Sequence, residues 1–192
     1  MLLQNKTAII TGSNRGIGKA VLETFAENGA DIFACARKES DEFSNVTERL
    51  SEKTGVSITP VYFDLAESER VKSGIKSILS SKKQIDILVN NAGVASGSFF
   101  QMTSLKDLKQ VFEINFFSQV LFTQGISRYM TRFKTGSIIN IASTAGLIGD
   151  AGMTSYGSSK AALMFATKTM ATELGEMNIR VNAIAPSITK TD

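Results

Sequence analysis

The chain has 192 residues, with 21 Lys and Arg against 18 Asp and Glu. The net charge of +3 is scattered and no apolar run approaches the ~18 residues of a membrane span, so neither a nucleic-acid footprint nor a transmembrane helix is expected. With no histidine and one cysteine, Cys35, a Ser-His-Asp triad, a Cys-His dyad, an internal disulfide and a cysteine-based zinc site are excluded; no metal is expected, and the chemistry falls to Ser, Tyr, Lys, Asn, carboxylates or an organic cofactor.

Met1-Leu2-Leu3-Gln4 runs straight into the first apolar segment without a basic leader or cleavage site, which suits a reduced cytoplasmic setting. Predicted strands follow at Thr7–Thr11, Asp31–Ala36, Ser57–Phe63, Ile85–Asn90, Ser137–Ile141 and Ile179–Ile184. Several are almost continuously apolar, as strands covered on both faces must be. Helical patterns separate them. Gly16–Asn28 puts Ile17, Val21, Leu22 and Phe25 on one face. A second helix starts at Ser40 or Asp41, runs to about Lys53 and ends at Gly55. Glu67–Lys83, Leu105–Arg132 and Ser155–Met177 complete the series. Six alternations of strand and helix predict an α/β fold, a doubly wound parallel sheet of Rossmann type, in one domain over 1–192.

The first βα turn reads Thr11-Gly12-Ser13-Asn14-Arg15-Gly16-Ile17-Gly18. Its glycines let the backbone turn sharply, and the helix that follows offers free N–H groups and a positive dipole end to a pyrophosphate. A P-loop is disfavoured, because Ala20 follows Gly18-Lys19 where a hydroxyl for Mg²⁺ is needed. At the end of the second strand Arg37 stands where an acid would bind a ribose 2′-hydroxyl. Arg15 projects from the loop toward the same place. Two guanidinium groups suit a 2′-phosphate, which points to NADP(H). Turn chemistry alone and solvated arginines are the alternatives.

Further on, Tyr156 and Lys160 are four residues apart on a predicted helix, hence on one face. A neighbouring ammonium favours the phenolate, so the phenol can act as acid or base at a carbonyl or alcohol. An ordinary amphipathic pair has the same spacing. Ser143 ends the fifth strand run 13 residues before Tyr156, where its hydroxyl could bind the substrate oxygen.

With Asp64, Asn90-Asn91-Ala92-Gly93, Asn115 and Asn182-Ala183-Ile184-Ala185-Pro186 added, the sequence resembles the short-chain dehydrogenase/reductase family from its glycine loop to its last residues. Its general look is that of 3-oxoacyl-acyl-carrier-protein reductases and their relatives. That resemblance implies catalytic roles for Tyr156 as general acid, Ser143 as carbonyl anchor, Lys160 as the group that lowers the Tyr156 pKa and holds the nicotinamide ribose, and Asn115 as holder of a relay water. It implies that Gly12, Ser13, Asn14, Arg15, Gly16, Ile17 and Gly18 cradle the cofactor phosphates. Asp64 and the Leu65 backbone would meet adenine, and Asn91, Ala92 and Gly93 the ribose. Pro186, Thr189 and Thr191 would border the nicotinamide.

Ser187 stands where the family usually has glycine, which questions the loop geometry there. The family also carries a flap, a last helix and a seventh strand after the Thr191 region, so the chain is expected to be C-terminally incomplete. The expected function is NADPH-dependent reduction of a ketone or 3-oxoacyl carbonyl, small-molecule or carrier-bound, by a homodimer or homotetramer. The long Leu105–Arg132 and Ser155–Met177 helices would form its interface. Arg128, Arg132 and Lys134 offer a basic surface for an acidic carrier, or only a solvated helix end. Rival readings are a catalytically idle NADP-binding scaffold or sensor, and a sugar epimerase or dehydratase, whose usual loop spacing and longer C-terminal domain this sequence lacks.

Overall fold

A computed structural model describes residues 1–190. Six strands form one sheet in the order β3-β2-β1-β4-β5-β6, every pair parallel. The strands are β1 Thr7–Thr11, β2 Asp31–Ala36, β3 Ile58–Tyr62, β4 Ile87–Asn90, β5 Gly136–Ile141 and β6 Ile179–Ile184. The helices are α1 Gly16–Glu27, α2 Asp41–Thr54, α3 Ser68–Ser80, α4 Leu105–Phe112, α5 Ser118–Met130 and α6 Thr154–Gly175. The bounds of β1, β2 and β6 coincide with the expected ones; β3 and β4 are shorter by a residue or two at their ends.

Alternate residues of each strand face opposite layers. Ile10, Ala34 and Val89 join Leu22 and Ala26 of α1 and Phe43 and Leu50 of α2 in one apolar cluster. Ile9, Phe33, Leu88 and Ile138 join Val71 and Ile78 of α3 and Phe122, Ile126 and Met130 of α5 in the other. The expected end signals of α2 are in place. The Ser40 hydroxyl accepts from the Phe43 N–H, and Gly55 closes the helix in the left-handed region at φ 74°.

The long helix expected over Leu105–Arg132 is not continuous. It is α4, a π-helical turn at Glu113–Phe117, α5 and a 3₁₀ turn at Thr131–Phe133. The π turn inserts one residue into the helical repeat where Asn115 points inward. A 3.6-residue periodicity does not register such an insertion, so the apolar pattern passes through it unbroken.

The strand order reverses between β1 and β4. In an open parallel sheet the loops at the carboxyl ends of two such strands part, and a crevice opens between them.

Candidate active site

The crevice at this switch point has a volume of about 700 Å³, within the range of small-molecule sites. Thr11 latches its two walls together. The Thr11 hydroxyl donates to the Val89 carbonyl at 3.4 Å and accepts from the N–H groups of Asn91 at 3.0 Å and Ala92 at 3.1 Å. Asn91 completes the latch, its amide Nδ2 donating to the carbonyls of Thr11 at 3.0 Å and Gly12 at 3.1 Å.

Gly12, Asn14, Arg15, Gly16 and Ile17 line the crevice. Ser13 does not: it is fully buried, and its N–H and hydroxyl both donate to the Cys35 carbonyl at 3.1 Å, tying the loop to β2. Gly18 does not line it either. A Cβ there would overlap the Gly12 carbonyl oxygen and crowd the Asn91 amide, so this glycine lets α1 close against its own loop. Arg15 precedes α1 in extended conformation and makes no side-chain cap, and the first turn carries no acid. The positive end of the α1 dipole therefore lies at the crevice with no carboxylate in the helix's own first turn.

Arg37 lies across the crevice, at the end of β2, with Asp64 and Leu65 at the end of β3. Arg15 and Arg37 are both exposed. Among the described residues neither makes an ion pair with a carboxylate. Asp64 accepts from the Ala66 N–H at 2.9 Å, and the Leu65 carbonyl accepts from the Ser118 hydroxyl at 2.5 Å. Cys35, Ala36, Phe63, Val94, Ala95 and Ile114 also line the crevice. None was named as a site residue from the sequence; the signal for the first three was their place at the carboxyl ends of parallel strands. Burial pushes the Cys35 thiol well above its usual range, so it lines the wall as a neutral apolar group.

The second half of the site is built on β5 and α6. Ser143 follows β5 in extended conformation and its hydroxyl accepts from the Ala145 N–H at 3.2 Å, starting a 3₁₀ turn over Thr144–Gly146. α6 packs on that turn at Gly157, where a Cβ would lie 2.5 Å from the Ala145 carbonyl oxygen. Only glycine allows this approach, which brings the first turns of α6, and Tyr156 with them, against the segment after Ser143.

Lys160 is 3% exposed, and its Nζ donates to the Ile141 carbonyl at 2.7 Å and lies 5.9 Å from the centre of the Tyr156 ring. Burial pulls its pKa from the ordinary 10.5 down to about 8. Asn115 is fully buried and pairs with the backbone of Val94 in both directions. Its Oδ1 accepts from the Val94 N–H at 2.8 Å, and its Nδ2 donates to the Val94 carbonyl at 2.9 Å. The same Nδ2 donates to the Ser159 hydroxyl at 3.1 Å, which itself donates to the Tyr156 carbonyl at 2.7 Å. Gly93 joins the two halves: a point one Cβ away from its backbone is 3.1 Å from Asn115 Oδ1 and 3.5 Å from Lys160 Nζ.

Beyond β6, the Pro186 carbonyl accepts from the Thr144 N–H at 3.0 Å, which brings Pro186 to the turn after Ser143. Ser187 is not among the residues with positive φ, so serine takes the place of the family glycine without backbone strain. Thr189 is exposed and its hydroxyl donates to the Ser187 carbonyl at 3.0 Å. Thr191 lies outside the described residues.

The short chain dehydrogenase family model matches residues 6–192. The 3-oxoacyl-[acyl-carrier-protein] reductase FabG of Aquifex aeolicus (strain VF5) is 36% identical over 190 residues, 99% of this chain and 76% of that protein. The structure of L-sorbose reductase from Gluconobacter frateurii, complexed with NADPH and L-sorbose, superposes with a TM-score of 0.92 at 36% identity, covering 100% of this chain and 73% of that one. A short chain dehydrogenase from Burkholderia cenocepacia J2315 in complex with NADP gives 0.91 at 30%, covering 100% and 78%. The chain belongs to the short chain dehydrogenase family.

Proposed function

We propose that the protein is an NADPH-dependent carbonyl reductase with Tyr156 as its proton donor. The observation that carries this reading is the buried Lys160 ammonium, anchored on the Ile141 carbonyl 5.9 Å from the Tyr156 ring and bordering the crevice at Gly93. The crevice fits the cofactor. Gly12, Asn14, Gly16 and Ile17 with the open α1 N-terminus would hold its phosphates. Arg15 and Arg37, which have no carboxylate partner among the described residues, would hold the 2′-phosphate. Ser13 and Gly18 shape that loop from behind. Asp64 and Leu65 would border the adenine, Asn91, Ala92 and Gly93 the ribose, and Pro186 and Thr189 the nicotinamide.

When bound, the cofactor supplies the hydride. Ser143 orients the carbonyl and stabilises the charge that develops on its oxygen. Tyr156 gives that oxygen its proton. Lys160 favours the phenolate left behind and binds the cofactor ribose, and Asn115 holds a water through which Lys160 regains its proton. The substrate is a ketone or 3-oxoacyl group, free or on an acidic carrier. Arg128, Arg132 and Lys134 are exposed beside each other in sequence, with Arg132 over the Tyr129 ring at 5.3 Å, and would face such a carrier. Exposed Phe117 and Phe165, after α4 and on α6, support self-association through these helices.

Tyr156→Phe is expected to lower kcat for NADPH oxidation with an accepted carbonyl about a thousandfold, with the NADPH Kd nearly unchanged. Full residual turnover overturns the mechanism. Cofactor binding by the wild type without turnover on any carbonyl establishes the idle-scaffold alternative instead.

A further inference from the structure

Two amides lie buried side by side at the carboxyl ends of β4 and β5. Asn90 and Asn140 are cross-strand partners, and both are essentially closed to solvent. Two residues earlier on the same face the partners are Leu88 and Ile138, both in the apolar core. Continuing that apolar layer would avoid the cost of desolvating two amides.

The amides instead form a hydrogen-bonded chain from one helix to the other. Asn90 Nδ2 donates to Thr123 Oγ1 on α5 at 2.7 Å and to Asn140 Oδ1 at 2.8 Å. Asn140 Nδ2 donates to Thr167 Oγ1 on α6 at 2.8 Å, and the Thr167 hydroxyl donates to the Leu163 carbonyl at 2.7 Å. Thr123 and Thr167 are buried as well.

Elsewhere α6 meets the core through Met170, Ala171 and Leu174. Apolar contact is non-directional and resists sliding only weakly. A hydrogen bond is directional and fixes both the height of the helix and its rotation. The residue next to Asn140 supplies a second attachment, since the Ile141 carbonyl accepts from Lys160 Nζ at 2.7 Å. Lys160 and Thr167 are seven residues apart, two turns or about 10.5 Å along one helix face. The dipeptide Asn140-Ile141 thus grips α6 at two points, and Ser143 follows two residues later in the same segment. One rigid connection sets the spacing between Ser143 on one side and Tyr156 and Lys160 on the other.

We infer that the Asn140–Thr167 hydrogen bond is a positioning contact for catalysis, holding α6 at the height where Tyr156 and Lys160 meet a carbonyl bound by Ser143. It rests on the carbonyl-reductase reading above. Neither Asn140 nor Thr167 lines the crevice.

Thr167→Val keeps the side-chain shape and removes the hydroxyl, and Thr167→Ser keeps the hydroxyl. Thr123→Val makes the same deletion at the other end of the chain, on α5. Each is assayed with a carbonyl the wild type reduces, well below its own Tm, and binding of adenosine 2′,5′-bisphosphate is measured alongside by calorimetry. Thr167→Val is expected to lower kcat about tenfold through misplacement of the reacting groups. Its KM for NADPH and its bisphosphate affinity should stay within about twofold of wild type, as should kcat for Thr167→Ser and Thr123→Val. Unchanged kcat in Thr167→Val overturns the inference. So does an equal loss in Thr123→Val, or a parallel loss of bisphosphate binding, because each marks general loosening of the core. If Thr167→Val does not fold, Thr167→Cys replaces it with the same two readings. A wild type without turnover overturns the reductase reading itself.

Discussion

The two halves of the site are built on opposite plans. On the β1–β2–β3 side the glycine loop lines the crevice, with the buried Ser13 side chain tying it to β2 from behind. The charged groups there, Arg15 and Arg37, are exposed and engage no carboxylate among the described residues. On the β5–α6 side the reactive side chains belong to the packing. Lys160 is buried and bonded to Ile141, and α6 is seated on the turn after Ser143 through Gly157. On the reading proposed above, cofactor choice rests on exposed groups and reactivity on groups built into the packing.

The largest test of that contrast is Lys160 itself. Its folded pKa is about 8 and its ordinary value 10.5. Below this window the lysine is charged in both folded and unfolded chains. Within it the unfolded chain binds the extra proton, so stability rises with pH, by at most about 3 kcal/mol. Lys160→Met lacks this gain. Chemical unfolding of both proteins across the window checks it, and parallel stability curves would mean that the ammonium is not desolvated. Gly157→Ala comes next. Its Cβ would press on the Ala145 carbonyl, which should cost about 1–3 kcal/mol of stability and a larger share of kcat. A variant with wild-type Tm and kcat would remove the packing account of the Ser143–Tyr156 spacing. Arg37→Ala should have the smallest effect on folding, within about 0.5 kcal/mol. Its NADPH affinity should fall roughly ten- to a hundredfold, with NADH affinity unchanged, for the loss of a charged hydrogen bond. Equal weakening of both cofactors would show that Arg37 does not read the 2′-phosphate.

The same contrast explains what the sequence made legible. The strand run Asp31–Ala36 was readable because burial on both sheet faces demands continuous apolar residues, whereas Ile179–Ile184 alternates the buried Ile179 and Val181 with the exposed Arg180 and Asn182. Lys160 and Tyr156 stood out because four-residue spacing on a helix fixes their common face. What stayed hidden was direction. Ser13 and Gly18 belong to the phosphate-loop motif, yet they brace the loop, and no local pattern distinguishes a residue facing a ligand from one facing its neighbour. The interruption at Glu113–Phe117 was invisible for a related reason: it coincides with Asn115 pairing with Val94, a contact made only in the folded chain.

The Thr11 latch has a consequence for the order of assembly. Its hydroxyl is met by backbone groups 80 and 81 positions along the chain, and Asn91 returns the contact over 80 and 79. Contacts of such separation form late, after the intervening chain has been ordered. The ligand-facing loop therefore acquires its shape only when β4 docks beside β1, long after α1 could form on its own. Nucleotide affinity then reports the completion of folding, and collapsed or partly folded species should be blind to it.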